Sequence, residues 1–383
     1  MTATASGGRD RPRTALVLSG GGARAAYQVG VLRELVEQGF LPRDRAGIDV
    51  LVGSSAGAIN TAAVAAWADD IHTGLMRLEQ VWSEIRPSQV YRTDVASLGR
   101  IGASWAWDLS FGGVTRHVQP KSLLDTAPLR ALLGERITFS RIEANVAQGH
   151  VAALAVIATD LHTSNGVIFL AAPPDAPGWT RRRWHIERTA IRVEHLLASS
   201  AIPIFFPSVE INGRYFGDGS IRNTAPLSPA INLGADRIIA IGVSGPSPDA
   251  ATAGPLEPPT VAEVAGVLLD AVMLDAIEVD VEHSERVNTS VLRCPTGSAD
   301  DPFRKVDVLW IRPSHLVRAL AKRLMHRMPG IVRYLLRGLG PDAAVTELAS
   351  YLLFDKAFCG ELVELGRRDV ATERERIARF FGV

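Results

Sequence analysis

The sequence predicts an α/β fold with a mainly parallel central sheet, followed by a mainly helical C-terminal extension. Three observations lead to this fold class. Short apolar runs end in glycine or polar turn residues, as buried strands do. Stretches with apolar residues at helical spacing follow the first two of these runs, and this alternation is typical of parallel strands joined by helices. Helical spacing then dominates the last third of the chain.

The first strand–helix–strand–helix unit lies near the N-terminus. Thr14–Leu18 is β-branched and apolar and ends in glycines, which predicts a buried strand. Residues 25–38 show helical spacing, and Gly39 ends that helix. Ile48–Val52 and Ala56–Ala68 repeat the pattern as a second strand and a second helix.

Two further buried strands are predicted at His150–Thr159 and Ile238–Val243. Residues 173–188 are rich in proline and charge, which indicates a loop or an insertion at the sheet edge. The segment 81–135 is less regular, and it belongs either to the core or to a surface that lines a substrate site. It contains four large aromatic residues, Trp82, Trp105, Trp107 and Phe111.

The predicted organisation has four parts, namely a flexible N-terminus (1–13), an α/β domain (14–245), a linker or loop (246–260) and a mainly helical extension (261–383). Within the extension, the stretch 314–340 is basic and lacks acidic residues, and its apolar residues keep helical spacing. Pro329-Gly330 should divide it into two helices. Such a stretch either contacts anionic lipid headgroups peripherally or is the solvated face of packed helices.

Composition excludes several classes of protein. Forty-one basic residues balance 41 acidic ones, which argues against a nucleic-acid binder. Two cysteines, Cys294 and Cys359, cannot form a disulfide framework or a cysteine zinc site. The apolar run Ala15–Leu18 is too short for a signal peptide, and the uncharged residues 51–68 are too polar for a membrane span. We therefore expect a cytoplasmic protein, attached to a membrane at most peripherally. No stretch resembles a metal site, and the sequence leaves the oligomeric state open.

The first motif with chemical meaning is the glycine-rich run from Ser19 to Arg24. Between a strand and a helix, such a turn exposes backbone N–H groups that bind negative charge. The charge is either a phosphate or a developing oxyanion. Gly20, Gly22 and Ala25 also fit the dinucleotide fingerprint, with Asp44 or Asp49 as the ribose-binding acid.

The second motif is a G-x-S-x-G sequence from Gly53 to Gly57, again between a predicted strand and helix. This pattern is typical of a nucleophile elbow, in which small neighbours permit a sharp, strained turn. The pattern places Ser55, and not Ser54, at the tip of the turn.

An activated serine needs a base. None of the late histidines His283, His315 and His326 lies in a strand-end loop beside a glycine. Asp218 lies between Gly217 and Gly219, which lets the backbone turn tightly and bring the carboxylate to a neighbouring site. On spacing alone, Asp218 is either this base or an ordinary turn aspartate.

Taken together, these motifs resemble the patatin-like phospholipase family. The resemblance covers residues 14 to about 245, and its elements follow the family's order. They are Gly20-Gly21-Gly22-Ala23-Arg24, Gly53-Ser54-Ser55-Ala56-Gly57, the run Ala198–Pro207, Asp218-Gly219 and Asn223-Thr224-Ala225-Pro226.

The resemblance implies a three-layer α/β/α sandwich that hydrolyses fatty-acyl esters of phospholipids or neutral lipids without a metal. Ser55 would be the nucleophile and Asp218 its base, with no histidine. The resemblance further assigns an oxyanion hole to Gly20, Gly21, Gly22 and Ala23, and a loop-anchoring role to Arg24. The chain departs from the family at Ser220, where glycine or alanine is common.

Three alternatives remain open at this stage. The first is a catalytically silent lipid-binding protein on the same fold. The second is a dinucleotide-dependent oxidoreductase, which leaves the elbow and Asp218-Gly219 unexplained. The third is a Ser-His-Asp hydrolase that uses one of the three late histidines.

Overall fold

The computed structural model describes residues 11–44, 46–92, 122–245, 271, 276–293, 304–337 and 342–383. The predicted linker 246–260 lies outside the described residues, as do Trp105, Trp107, Phe111 and Cys294.

Strands and helices alternate through the first half of the described chain, and helices dominate the second half. The strands are β1 (Thr14–Leu18), β2 (Val50–Ser54), β3 (Ala153–Asp160), β4 (Asn165–Ala171), β5 (Trp184–Arg188), β6 (Val209–Ile211), β7 (Arg214–Asp218), β8 (Arg237–Ile241) and β9 (Asp307–Ile311). The helices up to β8 are α1 (Ala26–Glu37), α2 (Ala56–Ala66), α3 (Ile71–Glu84), α4 (Pro87–Val90), α5 (Ala127–Arg136), α6 (Phe139–Ala147), α7 (Val193–Ser199) and α8 (Ser228–Asn232). The later helices are α9 (Ala276–Arg293), α10 (Val317–Leu324), α11 (Gly330–Arg337), α12 (Asp342–Leu352), α13 (Lys356–Thr372) and α14 (Arg374–Phe381).

The strands form one sheet in the order β5-β4-β3-β2-β1-β8-β9, and β7 and β6 continue from β3. The central strands β3, β2, β1, β8 and β9 run parallel, whereas β4 and β7 run antiparallel to β3. Alternate residues of β1 lie in two separate apolar cores: Leu16 and Leu18 on one face, Ala15 and Val17 on the other. Helices cover both faces, so the predicted three-layer, mainly parallel α/β/α fold is confirmed.

Strand β9 differs from the sequence prediction, because it lies inside the extension that we expected to be mainly helical. It pairs in parallel with β8, with Asp307 opposite Arg237 and Ile311 opposite Ile241. Only Leu309 and Ile311 of this strand are buried, so it lacks the continuous apolar run that revealed the central strands. The region 173–188 ends in β5, a strand at the opposite edge of the sheet, in agreement with an edge insertion.

The register along β3 brings two distant parts of the chain together. Strand β2 runs parallel to β3 and ends with Ser54 opposite Ile157. Strand β7 runs antiparallel to β3 and ends with Asp218 opposite Ala158, the next residue of β3. Because β2 and β7 share one edge of β3 and run in opposite directions, their carboxyl ends meet there. Residues that follow β2 and that end β7 therefore become neighbours.

The described part of the basic stretch, residues 314–337, folds onto the main core. Pro329 lies between α10 and α11, and Gly330 begins α11, so the stretch is divided into two helices as predicted. Its inward positions are buried in the larger core: Val317, Ala321, Leu324, Met328, Val332 and Leu336. Arg323 and Arg327 form ion pairs with Glu361 and Asp355. The buried apolar side of this stretch is thus occupied by the protein itself, while Tyr334, 72% exposed, and Leu316, 39% exposed, remain at the surface with its charged residues.

Among the helices described, none combines the length and the apolar character needed to cross a membrane.

Candidate active site

Ser55 occupies the turn between β2 and α2. Its φ of 54° and ψ of −132° are a strained conformation for a residue with a side chain, as expected at a nucleophile elbow. The turn also needs small neighbours. A Cβ built on Gly53 would approach Ala58 Cα to 2.5 Å, and one on Gly57 would approach the Leu18 carbonyl oxygen to 2.4 Å. Larger residues at these two positions would force the turn apart.

Ser199, at the end of α7, fixes the backbone of the elbow. Its hydroxyl accepts a hydrogen bond from the Ser55 N–H at 3.0 Å and donates one to the Ile157 carbonyl oxygen at 2.5 Å. It therefore fastens the turn to β3 at the place where β2 ends. This role of Ser199 was not predicted. In the sequence it is visible only within the run Ala198–Pro207, where two adjacent serines precede Pro203.

Asp218 lies directly beside Ser55. Its Oδ2 accepts a hydrogen bond from Ser55 Oγ at 2.6 Å, and its Oδ1 accepts one from the Ser220 N–H at 2.9 Å. Thr159 Oγ1 donates to the Asp218 carbonyl oxygen at 2.8 Å. The next residue must be glycine, because a Cβ on Gly219 would lie 2.1 Å from the Ile157 carbonyl oxygen. The structure thus brings together the two residues that the sequence placed 163 positions apart.

Burial changes the acid–base character of this pair. Asp218 is 0% exposed and Ser55 is 1% exposed. Loss of water raises the pKa of Asp218 to about 6 from an ordinary 3.8, while hydrogen bonds from Ser55 and Ser220 oppose the rise. The carboxylate therefore remains ionised at neutral pH but is more basic than an exposed aspartate. This is the property that a general base for a hydroxyl needs.

The glycine run packs against the serine. A Cβ on Gly20 would lie 2.8 Å from Ser55 Cβ, so only glycine allows this approach. Gly22 has a φ of 55° and begins a 3₁₀ helix, Gly22–Ala25. The first N–H groups of such a helix have no acceptor within it, and they can therefore bind a negative oxygen beside Ser55.

Arg24 connects this loop to the C-terminal extension. Its side chain is 3% exposed and forms an ion pair with Glu347 of α12. Its Nε donates to Ser350 Oγ at 2.7 Å, and its guanidinium lies 4.2 Å from the centre of the Tyr351 ring. The Tyr351 carbonyl oxygen in turn faces Gly22, where a Cβ would come within 2.3 Å of it. Helix α12 therefore contacts the loop at both Arg24 and Gly22.

Replacing Arg24 with Met should loosen the loop and leave Glu347 without this cation. Breaking a buried pair typically costs about 3–5 kcal/mol, and partial exposure of Glu347 reduces this to about 2–3 kcal/mol. We expect the labelling rate of Ser55 with a fluorophosphonate to fall more than about 10-fold, since one oxyanion donor is worth about 100-fold. Arg24→Lys keeps the positive charge but not the forked guanidinium group. Its labelling rate should therefore lie between those of the wild type and Arg24→Met. Unchanged labelling in a folded Arg24→Met protein would contradict an anchoring role.

A buried polar network joins the glycine loop to the nucleophile helix. Asn60 of α2 donates to the Ala25 carbonyl oxygen at 3.1 Å and to Gln28 Oε1 at 2.9 Å. Gln28 donates to the Ser19 carbonyl oxygen at 2.9 Å, and Trp82 Nε1 donates to Asn60 Oδ1 at 2.9 Å. Satisfied buried networks of this kind hold their members rigidly. The network was not predicted, because the side chains that form it, those of Gln28, Asn60 and Trp82, belong to no recognisable motif.

An apolar cavity of about 410 Å³ begins at Ser55. The buried serine is at one side, and the exposed residues Arg77, Glu135 and Arg136 also border it, so the cavity reaches the surface near them. Trp82, for which the sequence left core and substrate surface open, serves both: it is 4% exposed and lines the cavity. Most of the lining is apolar: Ile59, Ala63, Trp67, Leu78, Val81, Trp82, Ile85, Val90, Leu129, Leu132, Leu133, Ile137, Ile202, Phe206 and Phe354.

The three late histidines and the acidic residue Asp49, considered above for ribose binding, do not lie beside Ser55. Asp218 is the side-chain hydrogen-bond partner of Ser55 Oγ among the described residues, and His283, His315 and His326 are exposed. Asp49 precedes β2 and pairs with Arg11 at 2.7 Å, so it lies at the opposite end of the parallel strands from the glycine loop. A ribose-binding acid would follow β2 instead. In the described part of the chain, no three metal-binding side chains cluster.

The sequence of this chain is similar to those of several known proteins. The sequence profile of the patatin-like phospholipases matches residues 16–231, more than half of the chain. An uncharacterized NTE family protein of Mycobacterium tuberculosis is 30% identical over 260 residues, which cover 67% of this chain and 55% of that protein. A patatin-like phospholipase domain-containing protein of Aspergillus oryzae is 36% identical over 95 residues, 25% of this chain and 11% of that protein.

Among solved structures, human GIVD cytosolic phospholipase A2 in complex with a fluorophosphonate inhibitor covers 98% of this chain and 60% of its own, with 14% identity and a TM-score of 0.44. The chain spans about half the length of the curated mycobacterial relative that it matches. The profile match over the segment that carries the glycine loop, the elbow and Asp218 shows the family: this chain is a member of the patatin-like phospholipases.

Proposed function

We propose that this protein is a serine lipid acyl hydrolase that cleaves fatty-acyl esters through Ser55 and Asp218. The observation that carries the proposal is the 2.6 Å hydrogen bond from Ser55 Oγ to Asp218 Oδ2 at the inner end of an apolar cavity. A hydroxyl beside a buried, weakly basic carboxylate is a nucleophile with its base in place. Membership of the patatin-like family supports the same class of reaction.

The proposed reaction has two halves. Ser55 Oγ attacks the ester carbonyl carbon while its proton passes to Asp218 Oδ2, and the leaving alcohol or lysolipid then takes that proton as the ester bond breaks. Water next attacks the acyl-enzyme, gives its proton to Asp218 and releases the fatty acid. Asp218 finally returns the proton to Ser55 Oγ, so the enzyme is regenerated without a metal or a cofactor.

The glycine loop would stabilise the negative oxygen that forms in both halves. We assign this role to backbone N–H groups within Gly20, Gly21, Gly22 and Ala23, with Arg24 as the anchor of the loop. Donors fixed in a site without water stabilise such an oxyanion far more than donors in water do.

The cavity would bind the fatty-acyl chain along helix α2. Ser55 caps this helix, and Ile59 and Ala63 follow at spacings of four residues on the side that lines the cavity. At 1.5 Å per residue, Ala63 lies about 12 Å along the helix from Ser55. A chain attached at Ser55 would therefore pass Ile59 first and reach Ala63 only if it were long.

This arrangement predicts that Ala63→Trp selectively impairs long-chain substrates. Each methylene excluded from the cavity costs about 0.8 kcal/mol, so the loss of four methylenes would reduce kcat/KM about 100-fold or more. We expect hydrolysis of a palmitoyl ester to fall by this factor, while hydrolysis of a butyryl ester stays within about 3-fold. The measurement is kcat/KM over a series of p-nitrophenyl esters of increasing chain length.

Met76→Trp is a suitable control, because Met76 is 50% exposed on α3 and does not line the cavity. Its chain-length profile should match that of the wild type. An equal loss on short and long esters in Ala63→Trp would place the acyl chain elsewhere. A folded wild-type protein that binds lipid vesicles but hydrolyses no ester would instead favour the silent lipid-binding alternative.

A further inference from the structure

The hydroxyl of Ser220 has no assigned role, and its environment is unusual. The residue is 8% exposed. Its Oγ is shielded from solvent and completes no hydrogen bond of full geometry among the described residues, although it lies near enough to Asp218 to oppose the rise in the pKa of that carboxyl. An unpaired buried hydroxyl typically costs about 1–3 kcal/mol, whereas glycine or alanine at this position would avoid the cost. A hydrogen-bond partner that is present only during the reaction would explain why the protein keeps this unpaired hydroxyl.

The position of this hydroxyl is defined by the groups around it. The Ser220 N–H donates to Asp218 Oδ1 at 2.9 Å, which fixes the residue to the carboxylate. A Cβ built on Gly20 would lie 2.5 Å from Ser220 Oγ and 3.5 Å from Ser55 Oγ. The Ser220 and Ser55 hydroxyls therefore border the same small space, next to the glycine loop.

The hydrogen-bond donor available to Asp218 Oδ2 beside this space changes during the proposed reaction. In the free enzyme, Ser55 Oγ–H donates a hydrogen bond to Asp218 Oδ2 at 2.6 Å. In the acyl-enzyme, Ser55 Oγ is an ester oxygen without a proton, so Oδ2 loses its donor. A water molecule can replace that donor, but an ordered water generally makes two to four hydrogen bonds. The mostly apolar cavity offers few acceptors for its second proton.

We propose that Ser220 Oγ positions the hydrolytic water beside Asp218 during deacylation, an inference that rests on the proposed acyl hydrolase function. One O–H group of the water donates a hydrogen bond to Asp218 Oδ2, and the other donates a hydrogen bond to Ser220 Oγ. Its oxygen then attacks the acyl carbonyl carbon, and its first proton passes to Asp218. The bond from that carbon to Ser55 Oγ breaks, Asp218 returns the proton to Ser55, and the fatty acid leaves. Ser220 gains and loses no proton.

The test separates the two halves of the reaction in Ser220→Ala. Acylation is measured as the rate of fluorophosphonate labelling, and turnover as steady-state kcat on a p-nitrophenyl ester. We expect kcat to fall about 10-fold while labelling stays within about 2-fold of the wild type. Acyl-enzyme should accumulate during turnover, as seen by intact-protein mass. Hydroxylamine, a stronger nucleophile that needs less positioning, should restore much of the turnover.

Ser220→Gly, the other residue common in the family, should behave in the same way if the missing hydroxyl is the cause. Ser284→Ala is the matched control, because Ser284 is also 8% exposed but lies on α9 and borders a different cavity, together with Asp280 and His283. Its labelling and turnover should both equal those of the wild type.

Two results would overturn the inference. An equal fall in labelling and turnover would assign the hydroxyl to acylation, for example as an oxyanion donor. No change in either the labelling rate or turnover would show that the Ser220 hydroxyl has no part in the reaction. A wild-type protein that neither labels nor turns over would instead contradict the proposed function itself, which is a different outcome from wild-type turnover with an unaffected Ser220→Ala.

Discussion

Ser55→Ala is expected to lose covalent labelling by a fluorophosphonate completely and ester hydrolysis by about 10⁴-fold or more. The reason is specific to Ser55 Oγ, which is the atom that bonds to Asp218 at 2.6 Å. Alanine should tolerate the strained backbone at this position as well as serine does, because both carry a Cβ and no branch there. The fold should therefore persist, and circular dichroism and the melting temperature check that it does.

Ser54→Ala is the matched control for this experiment. Ser54 is the neighbouring serine, is 3% exposed, and ends β2 opposite Ile157. It makes no hydrogen bond to Asp218, so its replacement should leave labelling intact. Labelling that survives in Ser55→Ala but disappears in Ser54→Ala would show that the nucleophile had been assigned to the wrong serine of the elbow.

The sequence could predict this neighbourhood because its geometry is encoded locally. Gly53 and Gly57 are each required by contacts within or beside one turn, and Gly219 by the strand that it crosses. Such close approaches require glycine, and a glycine at a fixed position is visible in the sequence. The pairing of Ser55 with Asp218 was less accessible, since it depends on β2 and β7 meeting along β3. The residues alone left Asp218 as either the base or an ordinary turn aspartate, and the resemblance to a family is what paired it with Ser55.

The contribution of the C-terminal extension could not be predicted, because its contacts with the site are long-range and carry no motif. Arg24 and Glu347 are 323 residues apart, and Glu347 is an ordinary helical glutamate when only the sequence is considered. Strand β9 was missed for a related reason, because a half-buried edge strand has a weak apolar pattern. Yet β9 extends the sheet and α12 holds the glycine loop, so the proposed site depends on residues beyond the segment 16–231 that the family profile matches.

The buried Asp218 carboxylate makes this site a source of instability as well as of reactivity. Between pH 3.8 and about 6, the folded protein holds a proton on Asp218 that the unfolded chain has released. The contribution of Asp218 to the free energy of unfolding therefore falls as the pH rises through this range. Above pH 6 the loss is complete and amounts to about 3 kcal/mol, at about 1.4 kcal/mol for each unit of difference in pKa. The same ionisation creates the base, so activity should rise with pH through about 6.

Asp218→Asn separates these two effects, because it keeps the shape of the carboxylate but cannot ionise. We expect kcat to fall by about 10³-fold or more, since an amide cannot accept the Ser55 proton. We also expect the variant to be more stable than the wild type at pH 8, by up to about 3 kcal/mol, and nearly equal to it at pH 4. Urea unfolding at both pH values measures this difference, and a pH–rate profile of the wild type measures the base directly. A variant that is less stable at pH 8 would mean that the hydrogen bonds of Asp218 outweigh the cost of its burial, whereas a folded variant that keeps its kcat would contradict the role of Asp218 as the base.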